Sequence, residues 1–582
     1  MGYQVKRFIR IFLPPNSYRR AIVKKFLQVT HLRKFNLATY YDTWFYQNNE
    51  TAALRPVREE PNNGPLISII VPAYNTQQRV LLDLVYSITS QSYTNWELVL
   101  VNASNAKKAI ERIDEVAQID TRIRLVKTKN LGISANTNKG IAVAKGEYLA
   151  FVDHDDILDP FALYEVAKAI RDDGGELIYT DEDKISDDGQ TYFDPLFKPD
   201  WSPDLFTHVN YINHLTVIKK SLVIDVGLLD PKKDGAQDYD LLLKVVDADP
   251  VICHIPKVLY HWRAAQSSTA NDFTSKPNIT VAAADSLLQH FVRKGMNRDS
   301  IKVLPKEKRP GFYSIKLKPY DQISLIITPF ASDALLRLYI EILLVKTSLN
   351  QAKIELIIPI GTAPRSTHEN ISVKTLPADE LFLREAVSTA SYKQITIVSQ
   401  IVFPRRKNWL NQLSGFLRLN HIGALAPLIL RNDKMIEDAG LVHESDGFGL
   451  AYLFRNLPLK HQTFLGSTDW IRDVDALTGS CLIARKQELA TFLDKDKPSV
   501  DFRGSLRRFT ISQRQLGKYN MIDSSTLMNN YSIRLQPHAN TDKKYFPPGI
   551  IHIGDTHELY TPETGAIYTL LRLQEIGLKD GK

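Results

Sequence analysis

Phe151-Val152-Asp153-His154-Asp155-Asp156 is the stretch on which the fold turns. Three carboxylates crowd the end of a short apolar run, residues 148–152, that reads as a buried strand. Working back from it, residues 66–71, 96–101 and 123–127 are further strand-like runs. Helical patterns lie between them at residues 80–90, 106–118 and 133–144. This alternation predicts an α/β domain with a mostly parallel sheet. Ligands of such sheets lie beyond the carboxyl ends of the strands, so the residues just after Val71, Val101 and Val152 are the candidates for function.

Like charges packed at a strand end repel one another unless a cation or solvent compensates. Hard carboxylate oxygens suit Mg²⁺ or Mn²⁺, ions that also bind phosphate oxygens. The competing reading is an acidic turn that caps the helix expected near Pro160. Two later constellations are of the same ambiguous kind. Asp234-Gly235-Ala236-Gln237-Asp238-Tyr239-Asp240-Leu241 leads into an apolar helix, where a carboxylate serves as a cap or as a general base. Leu259-Tyr260-His261-Trp262-Arg263 follows a strand-like run at 251–255. There an imidazole suits a metal shell and a guanidinium suits a diphosphate, or both simply pack.

The chain has 582 residues, too many for one ordinary core, so two or more domains are expected. Hydrophobic residues make up 44% and charged residues 24%, which is a globular composition. The only cysteines are Cys253 and Cys481, which disfavours a disulfide framework or a cysteine zinc site. No run approaches the ~18 apolar residues of a spanning helix. The first residues lack a secretory signal pattern, so a cytoplasmic location is expected. The net charge of +8 is concentrated at the start. Residues 1–41 carry nine Lys or Arg (Lys6, Arg7, Arg10, Arg19, Arg20, Lys24, Lys25, Arg33, Lys34) and no acid. Apolar residues such as Phe8, Ile9, Phe12, Ile22 and Phe26 interleave with them. This pattern suits an anionic membrane surface at the inner face of the cell membrane, or a basic helix packed on the body of the protein. Nucleic acid is not expected as a partner. Residues 1–64 are expected to be a helical segment and linker.

A second α/β pattern begins near Gln322. Ile323-Ser324-Leu325-Ile326-Ile327 echoes Ile67-Ser68-Ile69-Ile70-Val71, and Ile354-Glu355-Leu356-Ile357-Ile358 echoes Trp96-Glu97-Leu98-Val99-Leu100. The Ser-to-Glu separations, 29 and 31 residues, match closely enough to predict a divergent internal repeat.

The motifs taken in order resemble the family 2 glycosyltransferases of the GT-A fold. They run Val71-Pro72-Ala73-Tyr74-Asn75, Asn130-Leu131-Gly132-Ile133-Ser134, Gly146-Glu147-Tyr148, the Asp cluster, Gln237-Asp238 and His261. Tyr179-Thr180-Asp181-Glu182-Asp183-Lys184, Phe197-Lys198-Pro199-Asp200-Trp201-Ser202-Pro203-Asp204 and Asn210-Tyr211-Ile212 are similar to a bacterial subgroup that builds surface polysaccharides such as O-antigen and rhamnose-rich polymers. The resemblance implies a catalytic GT-A domain over residues 65–310 and a degenerate, non-catalytic GT-A-like domain over 320–582. It implies that Asp153 and Asp155 hold a Mg²⁺ or Mn²⁺ ion on the donor diphosphate, with Asp155 the direct ligand and His261 completing the shell. It implies that Asp238 is the general base of an inverting transfer. Pro72, Ala73, Tyr74, Asn75, Asn102, Asn130, Asp153 and Arg263 are the implied donor contacts. The implied partners are a UDP- or dTDP-linked sugar, with rhamnose one option, and a glycan or polyprenyl-linked glycan acceptor.

One departure stands out. The family commonly has two Asp residues after the second strand, the second binding the base; here the stretch is Val101-Asn102-Ala103-Ser104, which leaves Asn102 or Ser104 to contact base or ribose. In the second half Ser399 and Ile401 fall where Asp153 and Asp155 fall in the first. Asp475-Ala476-Leu477-Thr478-Gly479-Ser480-Cys481 resembles a later family segment, and Asp501-Phe502-Arg503-Gly504 is a poor substitute for Gln237-Asp238. That half is expected to be silent, serving acceptor binding or assembly. The alternatives are an inactive glycan-binding or scaffold protein and a nucleotidyltransferase. Retention of Asp153, Asp155 and Asp238 counts against the first. The lack of a Gly-rich, basic loop after the first strand counts against the second.

Overall fold

The computed structural model describes residues 64–264, 277–348, 353–365, 368–431, 433–443, 449–530, 550–552 and 558–560. The helical and basic character expected of residues 1–60 lies outside the described residues.

The first half is one nine-stranded sheet. Its strands are β1 (Ile67–Ala73), β2 (Trp96–Asn102), β3 (Ile123–Lys127), β4 (Tyr148–Phe151), β5 (Ile157–Leu158), β6 (Leu177–Ser186), β7 (Tyr192–Leu196), β8 (Thr216–Lys219) and β9 (Ile252–Ala264). The order is β3-β2-β1-β4-β8-β6-β9-β5, with β7 on the side of β6. The first four are mutually parallel, and β8 joins β4 antiparallel. β1, β2 and β4 are largely buried and apolar because helices cover both faces, whereas the edge strand β3 exposes Arg124 and Lys127. Ile67, Ile69, Ile70 and Val71 of β1 are fully buried. The helices Gln78–Thr89 and Ile133–Val143 follow β1 and β3.

β9 is longer than the run 251–255 predicts. Pro256 has no N–H to give the ladder. The strand passes it with a shift in register, Thr180 opposite Ile255 and Asp181 opposite Val258, and continues through Arg263. His261 and Arg263 are therefore strand residues beside β6.

A small hairpin, β10 (Ile301–Pro305) and β11 (Tyr313–Leu317), leads to the second half. Its strands are β12 (Gln322–Ile327), β13 (Lys353–Pro359), β14 (Ile371–Leu376), β15 (Gln394–Val398), β16 (Val402–Pro404), β17 (Ile422–Leu430) and β18 (Ile436–Asp438). Two short hairpins follow, β19 (Leu441–His443) with β20 (Leu450–Tyr452) and β21 (Gln462–Thr463) with β22 (Gly466–Ser467). Then come β23 (Arg472–Val474), β24 (Cys481–Arg485) and β25 (Tyr519–Asn530). The order β14-β13-β12-β15-β24-β17-β25-β16 repeats that of the first sheet, down to the short strand after β15 and the side strand β18 on β17, with β23 on β25 as a tenth strand that has no counterpart. The internal echo in the sequence is thus a duplicated α/β fold.

The Ser–Glu pair seen in the sequence is a working part in both copies. Ser68 Oγ donates to Glu97 at 2.6 Å, Gly146 N–H donates to Ser68 Oγ at 2.8 Å, and Lys145 N–H donates to Glu97. A Cβ on Gly146 would lie 2.6 Å from Leu66 O, so this close turn requires glycine. In the second copy Ser324 Oγ donates to Glu355 at 2.7 Å, and the N–H groups of Ser391 and Tyr392 donate to Glu355 and Ser324. In each copy the pair satisfies the buried backbone of the turn that enters the strand bearing, or having lost, the carboxylates.

The halves are joined along the loop 197–204. Phe197 N–H donates to Phe464 O at 2.7 Å and the two rings meet edge-on at 5.8 Å. Ser202 Oγ and Asp204 N–H both donate to Asp473 Oδ2, at 2.8 and 3.1 Å. His421 lies 3.1 Å from Asp204 Oδ1. One apolar cluster runs through both halves, from Leu205, Phe206 and Tyr211 to Trp409, Phe416 and Met521.

Candidate active site

β1, β2 and β4 all end at one edge of the first sheet, and the expected residues gather there. Asp153, just past β4, is about half exposed (48% of its side chain), and Asp155 is one-third exposed. Burial raises the Asp155 carboxyl above its usual range; His154 opposes this and the charge on Asp153 adds to it. Neither residue caps the next helix. The turn into Ala162–Asp173 is held by Asp159, which accepts from Phe161 N–H at 2.9 Å. Asp156 has a structural task. It is fully buried, accepts from Arg263 N–H at 2.8 Å and from the Tyr260 hydroxyl, and burial with the two nearby charges holds it well above the carboxylate range.

Asp238 opens the helix Gln237–Asp247, and Gln237 donates to it at 2.9 Å. Burial and the charge of Asp153 push its carboxyl up to about 6, against the pull of His214 and Gln237. The same segment supplies a second carboxylate. Asp234 Oδ1 accepts from Ser134 N–H at 3.1 Å, capping Ile133–Val143 from 100 residues away. Gly132 has φ 97°, and a Cβ there would sit 2.2 Å from Asp234 Oδ2, which is why Leu131-Gly132-Ile133 carries glycine. The loops at 130–134 and 234–238 are thereby fastened to each other.

His214 is the residue the sequence reading missed. β8 runs antiparallel to β4 with Phe151 opposite Thr216, so two residues further out His214 faces Asp153. Its Nε2 is 3.9 Å from Asp153 Oδ2 and 3.0 Å from Asn213 Nδ2. Its ring stacks on Tyr260 at 5.0 Å. The subgroup motifs hold it in place. Glu182 accepts from His214 N–H at 2.7 Å, while the fully buried Lys198 ammonium donates to His214 O and, at 3.0 Å, to Glu182. Nothing in the sequence pairs Asn213-His214 with the Asp cluster; only the strand register does.

Two expected site residues are engaged with protein partners in the structure. Arg263 has a side chain with no exposure. Its guanidinium donates to Asp155 O at 2.7 Å, Asp187 O at 2.9 Å and Asp83 Oδ2 at 2.9 Å. It fastens the acidic turn to the helix Gln78–Thr89, and no face of it is left for a diphosphate. His261 is buried, with Nδ1 2.6 Å from Asp183 Oδ1 and its ring edge-on to Tyr192. Among the described residues no three His, Cys, Asp or Glu side chains converge on a point.

Of the nucleoside-side residues, Pro72 is half-buried, Ala73 is buried, and Tyr74 and Asn75 stand exposed at the rim. Asn75 has φ 52° and ties the two loops together. Its N–H donates to Ser104 Oγ at 2.9 Å and its Oδ1 accepts from the N–H groups of Asn105 and Ala106. Ser104 is thereby engaged. Asn102 is buried, and its Nδ2 has no partner among the described residues, which leaves a donor at the end of β2. Asn130 Oδ1 is occupied by Gly132 N–H and Asn136 Nδ2, both at 3.1 Å.

Residues 68–225 match the family model described as Glycosyl transferase family 2. An uncharacterized glycosyltransferase of Methanocaldococcus jannaschii is 30% identical over 207 residues, which are 34% of this chain and 71% of that protein. The chain belongs to glycosyl transferase family 2. The O-antigen biosynthesis protein RfbC of Myxococcus xanthus is 30% identical over 440 residues, 73% of this chain and 34% of its own. The chain spans 34% to 48% of the length of the curated relatives that match most of it. A crystal structure of S. aureus TarS 1-349 in complex with UDP-GlcNAc covers 40% of this chain and 68% of its own, at 17% identity and a TM-score of 0.34. Within this family 2 chain the matched span holds β1 to β8, and with them Asp153, Asp155 and His214; Asp238 lies just beyond it.

The donor set fits a hard divalent ion. Two neighbouring carboxylates remain partly open at the strand end, the charge of Asp153 disfavouring that of Asp155, and Mg²⁺ typically uses one or two carboxylates with substrate phosphates supplying the rest.

Proposed function

We propose that the protein is an inverting, metal-dependent glycosyltransferase. It moves a sugar from a UDP- or dTDP-linked donor to a growing surface polysaccharide or a lipid-linked glycan. The observation that carries this is the placement of Asp153 and Asp155 at the end of β4, with Asp238 close enough for the charge of Asp153 to raise its pKa. Family membership and the similarity to an O-antigen biosynthesis protein support the polysaccharide setting. Rhamnose stays an option for the sugar.

Asp153 and Asp155 would hold Mg²⁺ or Mn²⁺, which when bound stabilises the charge that develops on the departing diphosphate. Asp238 accepts the proton of the acceptor hydroxyl as that oxygen bonds to the anomeric carbon and the bond to the diphosphate oxygen breaks. A carboxyl tuned toward neutrality is a better base at working pH than an ordinary aspartate. The unpartnered Asn102 amide and the exposed Tyr74 offer contacts to the nucleoside. Residues 65–310 form the catalytic unit in this reading and residues 320–582 a silent copy for acceptor binding or assembly. No helix among the described residues is long and apolar enough to cross a membrane. The basic residues of 1–41 support peripheral contact with an anionic inner face.

The test is hydrolysis of a panel of nucleotide sugars with Mg²⁺ or Mn²⁺. One donor should be turned over, and Asp155→Ala should abolish it. If no donor is bound or turned over, the scaffold reading replaces this one.

A further inference from the structure

We propose that His214 is a sugar-selecting residue, its imidazole hydrogen-bonding a hydroxyl of the transferred sugar in the space bounded by Asp153 and Asp238. This rests on the reading of that edge as a donor site and adds a residue that reads the sugar itself.

Three independent observations carry it. The first is place. In the transfer described above the metal-bound diphosphate lies at Asp153 and the acceptor hydroxyl at Asp238, so the sugar ring lies between them. His214 stands at that place, with Nε2 3.9 Å from Asp153.

The second is how much structure is devoted to one residue. A lysine with no exposed surface is costly to bury, and the Lys198–Glu182 pair directs both members at the backbone of His214, one at its carbonyl and one at its N–H. Tyr260 supports the ring from below. The same Tyr260 hydroxyl accepts from Asp153 N–H at 3.3 Å and donates to Asp156. The imidazole and the acidic turn therefore share one support and keep a fixed spacing, which a recognition group needs.

The third observation comes from the duplicated fold. Ser324 and Ser68 occupy the same place in β12 and β1, with partners Ile395 and Leu149 across the ladder, so Ser399 corresponds to Asp153 and Ile401 to Asp155. Ile397 faces Leu482 where Phe151 faces Thr216, which sets Ser480 in the place of His214. The second position of the following helix is Asp238 in one copy and Arg503 in the other. The copy that lacks the carboxylates therefore lacks the imidazole as well. Its Ser480 Oγ turns inward to Thr478 at 2.9 Å. The Ser–Glu clamp that serves only the fold persists in both. A histidine needed for folding would be expected to persist with the clamp; this one is missing together with the chemistry.

Titration calorimetry on the full chain with Mn²⁺ tests this. The ligands are UDP, GDP and dTDP and their hexose, N-acetylhexosamine and 6-deoxyhexose conjugates. For the conjugate that the wild type prefers, His214→Ala should weaken binding by about tenfold, while the matching nucleoside diphosphate should change by less than about twofold, the signature of one lost hydrogen bond to the sugar. Discrimination between conjugates that differ at one hydroxyl should shrink, and His214→Gln should recover part of it. Parallel loss of conjugate and diphosphate affinity in both variants would show a structural role and overturn the proposal, as would unchanged discrimination. A wild type that binds neither diphosphates nor conjugates would instead defeat the donor-site reading itself, and this proposal with it.

Discussion

Asp238 is partly buried at the first turn of its helix, and burial with the charge of Asp153 brings its carboxyl to about 6. Only the ionised form takes a proton, so kcat/KM for transfer should rise with pH through about 6 and level off above it. Asp238→Asn should lower the rate by about 10²–10⁴ with donor affinity little changed, a size typical of general-base removal. A flat pH profile from about 5 to about 7, on the order of one unit either side of that value, would remove Asp238 from the role. Asp153 and Asp155 stood out in the sequence as charge at the end of an apolar run, whereas Asp238 was singled out only through the family resemblance. Arg263 was legible as a residue but not as a function: whether a guanidinium meets a phosphate or two carbonyl oxygens and Asp83 depends on neighbours 76 to 180 positions away. His214 was invisible for the same reason, since its relation to Asp153 exists only through the β4–β8 register.

At the scale of elements, hydrophobic runs placed β1 to β4 and the helices between them to within a few residues, because β1, β2 and β4 are almost wholly buried. β5 to β8 were not read as strands, and β9 was read short, because a proline that usually ends a strand is absorbed by a register shift. The Ser–Glu echo identified the repeat because it does the same work twice. In the second copy Glu355 accepts from Ser324, from Ser391 and from Lys374. Burial opposes its charge, but these donors win and lower its carboxyl from 4.5 to about 2. A folded-state pKa below the unfolded one gives stability that is full above about pH 4.5 and lost as pH falls through about 2. Because Lys374 is partly exposed, the contribution should be on the order of 2 kcal/mol. Urea unfolding at a series of pH values should show a flatter acid limb for Glu355→Gln than for the wild type. An unchanged limb would mean that the clamp carries no such weight.

At the scale of the molecule, the subgroup motif 197–204 has two jobs. Lys198 reaches back to the site, and Ser202 and Asp204 reach across to Asp473 in the second half. Burial raises both carboxyls of the Asp204–Asp473 pair, and His421 then draws Asp204 down while Asp473 stays well above its usual range and keeps the proton. Asp473→Asn should accordingly be tolerated, since its amide accepts from Ser202 and donates to Asp204 as the protonated acid does. Asp473→Ala should lower Tm by several degrees and increase proteolytic cleavage between the halves. Equal losses from both substitutions would contradict a neutral Asp473. This seam was not readable in the sequence, because residues 202 and 473 belong to separate copies of the repeat and only their packing brings them together.

In the proposed function the duplicated fold holds one live site and one silent copy. Mn²⁺ binding by electron paramagnetic resonance, in the presence of the nucleoside diphosphate that binds best, tests it most directly. A single ion per chain is expected, lost in Asp155→Ala and retained in Ser399→Ala. Two ions, or an ion that survives Asp155→Ala and disappears with Ser399→Ala, would contradict it.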